Sequence, residues 1–247
     1  MNFAEAIKAR RSRRKYLGTP IDPGAASKLR ELIAECNKAG NVRMELVVND
    51  GEAFRGFRKS YGMFSGVNDY VGLIADRNDT TAAERLGYYG ELLTLHATAM
   101  GLGTCWVGVS ADRSDMPFSL SGNEALACTI ILGNTAEKDS FKERLIRGIV
   151  HRKTKSAEEM FAGDAPAPDW FMRGMMAVEK APSAVNRQPV MFSWKGGKAS
   201  AAVKAKSADL PGLLAIDFGI AKLHFEIGAD GGKWAWGNGA EFSRAQD

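Results

Sequence analysis

The sequence predicts a mixed chain of helices and strands, and three observations carry that expectation. Residues 81–100 repeat apolar side chains at three- and four-residue steps (Leu86, Tyr89, Leu93, Ala97, Met100), as a helix with a buried face requires. Residues 70–75 form a nearly continuous apolar run, the pattern of a strand covered on both faces. Shorter runs at 44–48, 105–107 and 128–132 read as further strands.

The first element is a short helix over residues 3–10, with Phe3, Ala6 and Ile7 on one side. It ends in a basic run and a Gly18-Thr19-Pro20 breaker. Asp22 as N-cap and Pro23 at the first position open a second helix, with Leu29, Leu32 and Ile33 as its apolar face. Gly101 comes after the long helix where a left-handed terminal residue is wanted. Beyond Lys155, residues 161–168 read by composition as a linker. The rest of the chain looks like a shortened second edition of the first part. Residues 29–34 have a counterpart at 172–177, and Leu95-His96 has one in Leu223-His224, again followed by glycines and then tryptophan.

With 247 residues, 45% hydrophobic and 25% charged, the composition is that of an ordinary globular chain, one large domain or two small ones. It excludes collagen-like, disulfide-scaffold and wholly disordered classes. No apolar run approaches the ~18 residues of a membrane span, and the first seven residues do not read as a signal peptide. The net charge of +4 is too small to imply a nucleic-acid binder. The basic residues cluster at 10–15 and 151–155, in a manner suited to holding a small anion. Cys36, Cys105 and Cys128 are few and far apart, which suggests neither a zinc site nor a disulfide framework and points to a reducing cytoplasm. Three scattered histidines argue against a metal-dependent hydrolase.

Three segments carry candidate chemistry. The run Arg10-Arg11-Ser12-Arg13-Arg14-Lys15-Tyr16, just past a helix, offers guanidinium forks and a hydroxyl to a phosphate; alone, it can also be a solvated basic turn. The segment Ala181-Pro182-Ser183-Ala184-Val185-Asn186-Arg187-Gln188-Pro189, ahead of a strand at 190–194, offers a rigid surface and polar groups to a planar ring, or is simply a helix-to-strand turn. The segment Gly101-Leu102-Gly103-Thr104-Cys105-Trp106-Val107-Gly108 permits close approach of backbone to a ligand. It is not GxGxxG and comes after a helix, so the dinucleotide fingerprint is absent.

Together and in this order, these segments resemble the FMN-dependent nitroreductase family, whose marks are an RRSxR start, a central helix ending GLGTCW(V/I)G, and APSxxNxQP. The last mark usually comes early. Its late place here, with Glu35-Cys36-Asn37-Lys38-Ala39-Gly40-Asn41-Val42 standing in the early one, resembles the branch typified by a Thermotoga member, in which one chain carries two half-copies. The resemblance implies a nitroreductase-like α+β fold with a mixed, mainly antiparallel sheet. Residues 1–247 would form a single intertwined unit of half-copies 1–160 and 161–247, imitating the family's homodimer. It implies one FMN per chain, held between the opening arginines and the late proline–serine turn.

By the same resemblance, Arg10, Arg11 and Ser12 grip the FMN phosphate and ribityl, and Arg14 faces the N1–C2=O edge. Arg152 and Lys155 complete the phosphate socket, with Lys153 a substitute. Pro182, Ser183, Ala184 and Asn186 lie against the ring, and Trp106, Val107 and Gly108 approach it near N5. NADH or NADPH would deliver hydride to the flavin, and an electron-poor small molecule (a nitroaromatic, a quinone or similar) would take it by ping-pong kinetics, with no side-chain nucleophile, nucleic acid or membrane involved. His96 and His224 are expected as satisfied core histidines. The aromatic and basic residues between Gly51 and Gly66 (Phe54, Arg55, Phe57, Arg58, Tyr61, Phe64) could form a lid or ordinary packing. The alternative function is a flavin- or nucleotide-binding protein of the same fold without turnover.

Overall fold

A computed structural model describes residues 1–55, 63–108, 116–137, 143, 154–164, 166–203 and 212–244. Helix α1 (Phe3–Ala9) starts on a reciprocal cap, Asn2 Oδ1 accepting from Glu5 N at 2.9 Å and Glu5 Oε2 accepting from Asn2 N at 2.8 Å. Helix α2 (Pro23–Gly40) opens as the sequence predicts, with Asp22 Oδ1 accepting from Ala25 N at 3.0 Å. Leu29 and Ile33 are buried, whereas Leu32 is only half-buried.

The first sheet is built from β1 (Arg43–Val47), β2 (Asp69–Asp76), β3 (Gly103–Val107) and β4 (Glu124–Gly133), in the order β1-β2-β4-β3 with every pair antiparallel. Strand β2 is covered on both faces because its alternate residues serve two cores. Val71 and Leu73 pack with Leu29, Leu86 and Leu93, and Tyr70 and Ile74 pack with Tyr16, Phe54 and Phe64. Phe54 and Phe64 are therefore core residues of the 51–66 segment, and Arg55 is paired with Glu52. Phe57, Arg58 and Tyr61 lie outside the described residues.

The second sheet comprises β5 (Phe161–Gly163), β6 (Val190–Lys195), β7 (Lys198–Val203), β8 (Lys233–Trp234) and β9 (Glu241–Ser243), in the order β5-β6-β7-β9-β8. Residues 161–163, read by composition as part of a linker, are thus a strand, parallel to β6. Phe161 packs edge-on against Phe171, and the neighbouring Met160 is buried. With β5 set aside, the order β6-β7-β9-β8 repeats β1-β2-β4-β3, again antiparallel throughout. Helices fall in the same places: α2 before β1 and α3 (Ala82–Ala99) between β2 and β3, then α4 (Asp169–Val178) before β6 and α5 (Gly212–Ala229) between β7 and β8.

Helices α3 and α5 cross in close contact between the two sheets. An added Cβ at Gly219 would collide with the Glu84 carbonyl oxygen, and one at Gly87 with the Ile216 carbonyl oxygen, so only glycine lets the backbones meet. The reciprocity pairs Gly87 with Gly219, 132 positions on, rather than Leu95-His96 with Leu223-His224. Both helices are buried nearly all round. Polar pairs span the crossing: Lys222 with Glu84, His224 Nε2 with Glu91 Oε1 at 2.9 Å, and Tyr88 Oη donating to Glu226 Oε1 at 2.8 Å.

Candidate functional site

Past α1 the basic run leaves the helix as extended chain and adds to the edge of the first sheet. Ser12 bridges Thr104 of β3 in parallel, and Arg13 N donates to Thr104 O at 2.8 Å. The side chains of the run then go to different surroundings. Arg13 points inward and is consumed structurally, with Nε on Glu143 Oε1 at 3.2 Å, Nη1 on Thr135 Oγ1 at 2.9 Å and Nη2 on the Ala136 carbonyl at 2.9 Å. Arg11 is exposed, and its Nη2 donates to the Glu137 carbonyl at 2.8 Å.

Arg10 and Arg14 behave differently. Arg10 Nε stands 3.7 Å from Glu91 Oε1, an ion pair without a hydrogen bond. Arg10 Nε and Nη1 and Arg14 Nε are buried with no hydrogen-bond partner among the described residues. A buried donor left unsatisfied costs about 1–3 kcal/mol. Three of them on two neighbouring guanidinium groups fit an anionic or acceptor-rich ligand.

The end of β3 lies beside them. The Trp106 ring rests over Gly90, and its Nε1 donates to Glu91 Oε2 at 2.7 Å. Val107 is buried, its carbonyl receiving Thr129 Oγ1 at 3.2 Å. A Cβ on Gly108 would stand 2.9 Å from Leu213 Cδ2 of α5. Burial pushes the Cys105 thiol up, against the opposing influence of Arg14 and Ser12, so this strand offers no nucleophile.

The 181–189 segment comes directly after α4. Ala181 is buried with Cys128, Ile216 and Ile220, and Trp106 and Leu213 pack on the same cluster. Pro182, Ser183, Ala184 and Asn186 are half-buried. Ser183 Oγ accepts from Gln188 N at 2.9 Å, and Ala184 N donates to the Asp217 carboxylate at 3.0 and 3.1 Å. Val185, Asn186 and Gln188 all have left-handed backbones, at φ 47°, 52° and 45°. For β-branched Val185 this is costly and must be imposed by the surroundings. Lys155 belongs to this turn: its N donates to Gln188 Oε1 and its Nζ to the Gln188 carbonyl, both at 2.8 Å. Arg152, Lys153 and His151 lie outside the described residues. Beneath the turn a shallow hollow is bounded by Met160, Val178, Pro182, Ser183, Gln188 and Asp217.

Run and turn are joined through Glu91, which is wholly buried. Its carboxylate faces Arg10, Trp106 and His224, and His224 Nδ1 lies 3.1 Å from the Ala177 carbonyl on the helix that leads into the turn. A carbonyl can only accept, so Nδ1 is the donor to Ala177 and Nε2 is the nitrogen that faces Glu91. His224 is thus a satisfied core histidine, as expected. His96 is half-buried, edge-on to Phe3 at 4.9 Å, with burial holding its imidazole below its ordinary range. Neither Glu91 nor Asp217 stands out in the sequence. The available signal for Glu91 is the stripe Glu84, Gly87, Glu91, Thr94 and Thr98, small or polar and all buried, which marks a second packed helix face. Asp217, a lone acid inside an apolar helix run, has burial pushing its carboxyl up to about 7 against the Ala184 N–H and Arg187.

Residues 2–229 match the family model described as "Putative TM nitroreductase". The chain belongs to this nitroreductase family. As a member it is an oxidoreductase. Among solved structures, a protein described as a putative nitroreductase from Thermotoga maritima is 18% identical, covering 98% of this chain and 92% of its own, with a TM-score of 0.64. That likeness is one of fold. A nitroreductase family protein from Clostridium difficile (19% identity, 60% of this chain and 92% of its own, TM-score 0.46) is also similar. So is a protein described as a putative nitroreductase in complex with FMN from Desulfovibrio desulfuricans (18% identity, 59% and 96%, TM-score 0.44). No curated protein matches the sequence. Among the described residues no helix is long and apolar enough to cross a membrane, and no acidic, histidine or cysteine cluster could hold a metal ion.

Proposed function

We propose that this nitroreductase is an FMN-dependent enzyme that takes hydride from NADH or NADPH and passes it to an electron-poor small molecule by ping-pong kinetics. The observation that supports this most is the trio of buried guanidinium nitrogens on Arg10 and Arg14 that have no hydrogen-bond partner among the described residues, beside the end of β3. When bound, FMN supplies hydride uptake and release at N5. The chain's own residues place the cofactor and shape its surroundings. Arg10, Arg11 and Ser12 would hold the phosphate and ribityl, with Glu91 keeping the Arg10 side chain in the cleft. Arg14 would set positive charge at the N1–C2=O edge, which favours the reduced anion. Pro182, Ser183, Ala184 and Asn186 would cover one ring face, and Trp106, Val107 and Gly108 would supply the backbone edge near N5. Lys155, fixed to Gln188, would bring a cation to this side, completing the phosphate socket together with Arg152.

The repeated strand order and the glycine crossing support a chain of two half-copies, 1–160 and 161–247, that imitates a homodimer. The three cysteines are buried and form no disulfide, in keeping with a reducing cytoplasm. Purified protein should be yellow, or take up added FMN, and should be bleached anaerobically by NADH or NADPH. Protein that holds FMN but is not bleached is a flavin-binding protein without turnover. Protein that takes up no FMN contradicts the proposal.

A further inference from the structure

Resting on the flavin reading above, we infer that Asp217 is a positioning residue that sets the 182–186 turn against the flavin ring through the Ala184 N–H. The first turns of α5 stand between the end of β3 and this turn. Leu213 meets Gly108 on one side, while Ile216 and Ile220 pack with Ala181 on the other. Asp217 supplies the polar link in this stack. It is 5% exposed among Ile216, Phe218, Ile220 and Ala221, where a carboxylate is expensive to bury, and the proposed reaction makes no use of it as an acid or base.

Both Asp217 oxygens receive the Ala184 N–H, one residue before the left-handed stretch begins. The bond from Gln188 N to Ser183 Oγ closes the turn on itself, and Gln188 ties it to Lys155. The Asp217 bond instead fixes its distance from the helix that also touches β3, and hence the width of the cleft that a planar ring must enter. A strained turn holds its shape only while its surroundings over-determine it.

The test is titration of apoprotein with FMN and, separately, with riboflavin, read by flavin fluorescence, alongside thermal melts. Asp217→Leu should weaken both flavins by the same factor, about tenfold, because ring contacts are common to the two. Its melting temperature should be no lower than that of the natural chain, since a buried carboxylate has been replaced by an apolar group. Asp217→Asn keeps an oxygen for Ala184 N–H and should stay within about threefold. Arg10→Ala, acting on the phosphate, should weaken FMN more than riboflavin. Asp217→Ala carries the same expectation for the flavins if the leucine variant does not fold. Unchanged affinities in the leucine and alanine variants, or a loss confined to FMN, overturn the assignment of Asp217 alone. A natural chain that binds neither flavin overturns the flavin reading and this inference with it.

Discussion

Arg10 packs a guanidinium into the protein with one carboxylate 3.7 Å away and two nitrogens without a hydrogen-bond partner among the described residues. If a phosphate completes that set, Arg10→Ala removes a charge-assisted contact of ~1.5–3 kcal/mol. FMN affinity should then fall roughly ten- to a hundredfold, and an unchanged affinity in fluorescence titration would show that the run serves another purpose. Asp217 makes a separate prediction. Its folded carboxyl is pushed up to about 7, above the ordinary 3.8, so the folded state holds the proton more tightly than the unfolded one. Ionised Asp217 therefore lowers stability above pH 7, and the penalty fades as pH falls toward 4. The margin by which Asp217→Asn outmelts the natural chain should accordingly narrow between pH 8 and pH 5, and a margin that widens contradicts the burial argument. Arg10 and Ser12 are legible in the sequence because they stand in a dense motif. Glu91 and Asp217 are not, since a single acid in an apolar helix becomes informative only when its distant partners, His224 and Ala184, are brought to it.

Local signals predict elements well where the forces are local. The Asp22 cap, the Gly101 terminus at φ 85° and the two-sided burial of β2 all arise from a few adjacent residues. Strand β5 does not, because three residues gain a strand's identity only by pairing with β6 some thirty positions away. The sequence does not reveal that the sheets number two, nor the depth of the α3–α5 crossing. Glycines at 87 and 219 read locally as weak points in helices, yet they are what lets the helices touch. Gly219→Ala sets a Cβ against the Glu84 backbone, which cannot yield as a side chain would. The loss should be at least ~2 kcal/mol in denaturant unfolding, whereas a loss under ~1 kcal/mol, the ordinary helix gain or cost, would mean the crossing is looser than described.

At the scale of the molecule, the two sheets share a strand order, but the side chains at matching places on the crossing helices differ. The relation that pairs Gly87 with Gly219 pairs Gly90, which receives the Trp106 ring, with Lys222. Lys222 fills that place itself, bonded to Glu84 and to the Ala235 carbonyl at 2.9 Å, with the Trp234 and Trp236 rings 5.5 and 5.9 Å away. Where the first half would need its own proline–serine turn, residues 35–40 continue α2 instead, and Arg85 Nε seals the end of that helix on the Gly40 carbonyl at 2.6 Å. The most direct measurement is the stoichiometry of FMN uptake by apoprotein under tight-binding conditions. One flavin per polypeptide is the result expected if the opening arginines and the late turn form a single shared cleft, and two per polypeptide, or none, would contradict it.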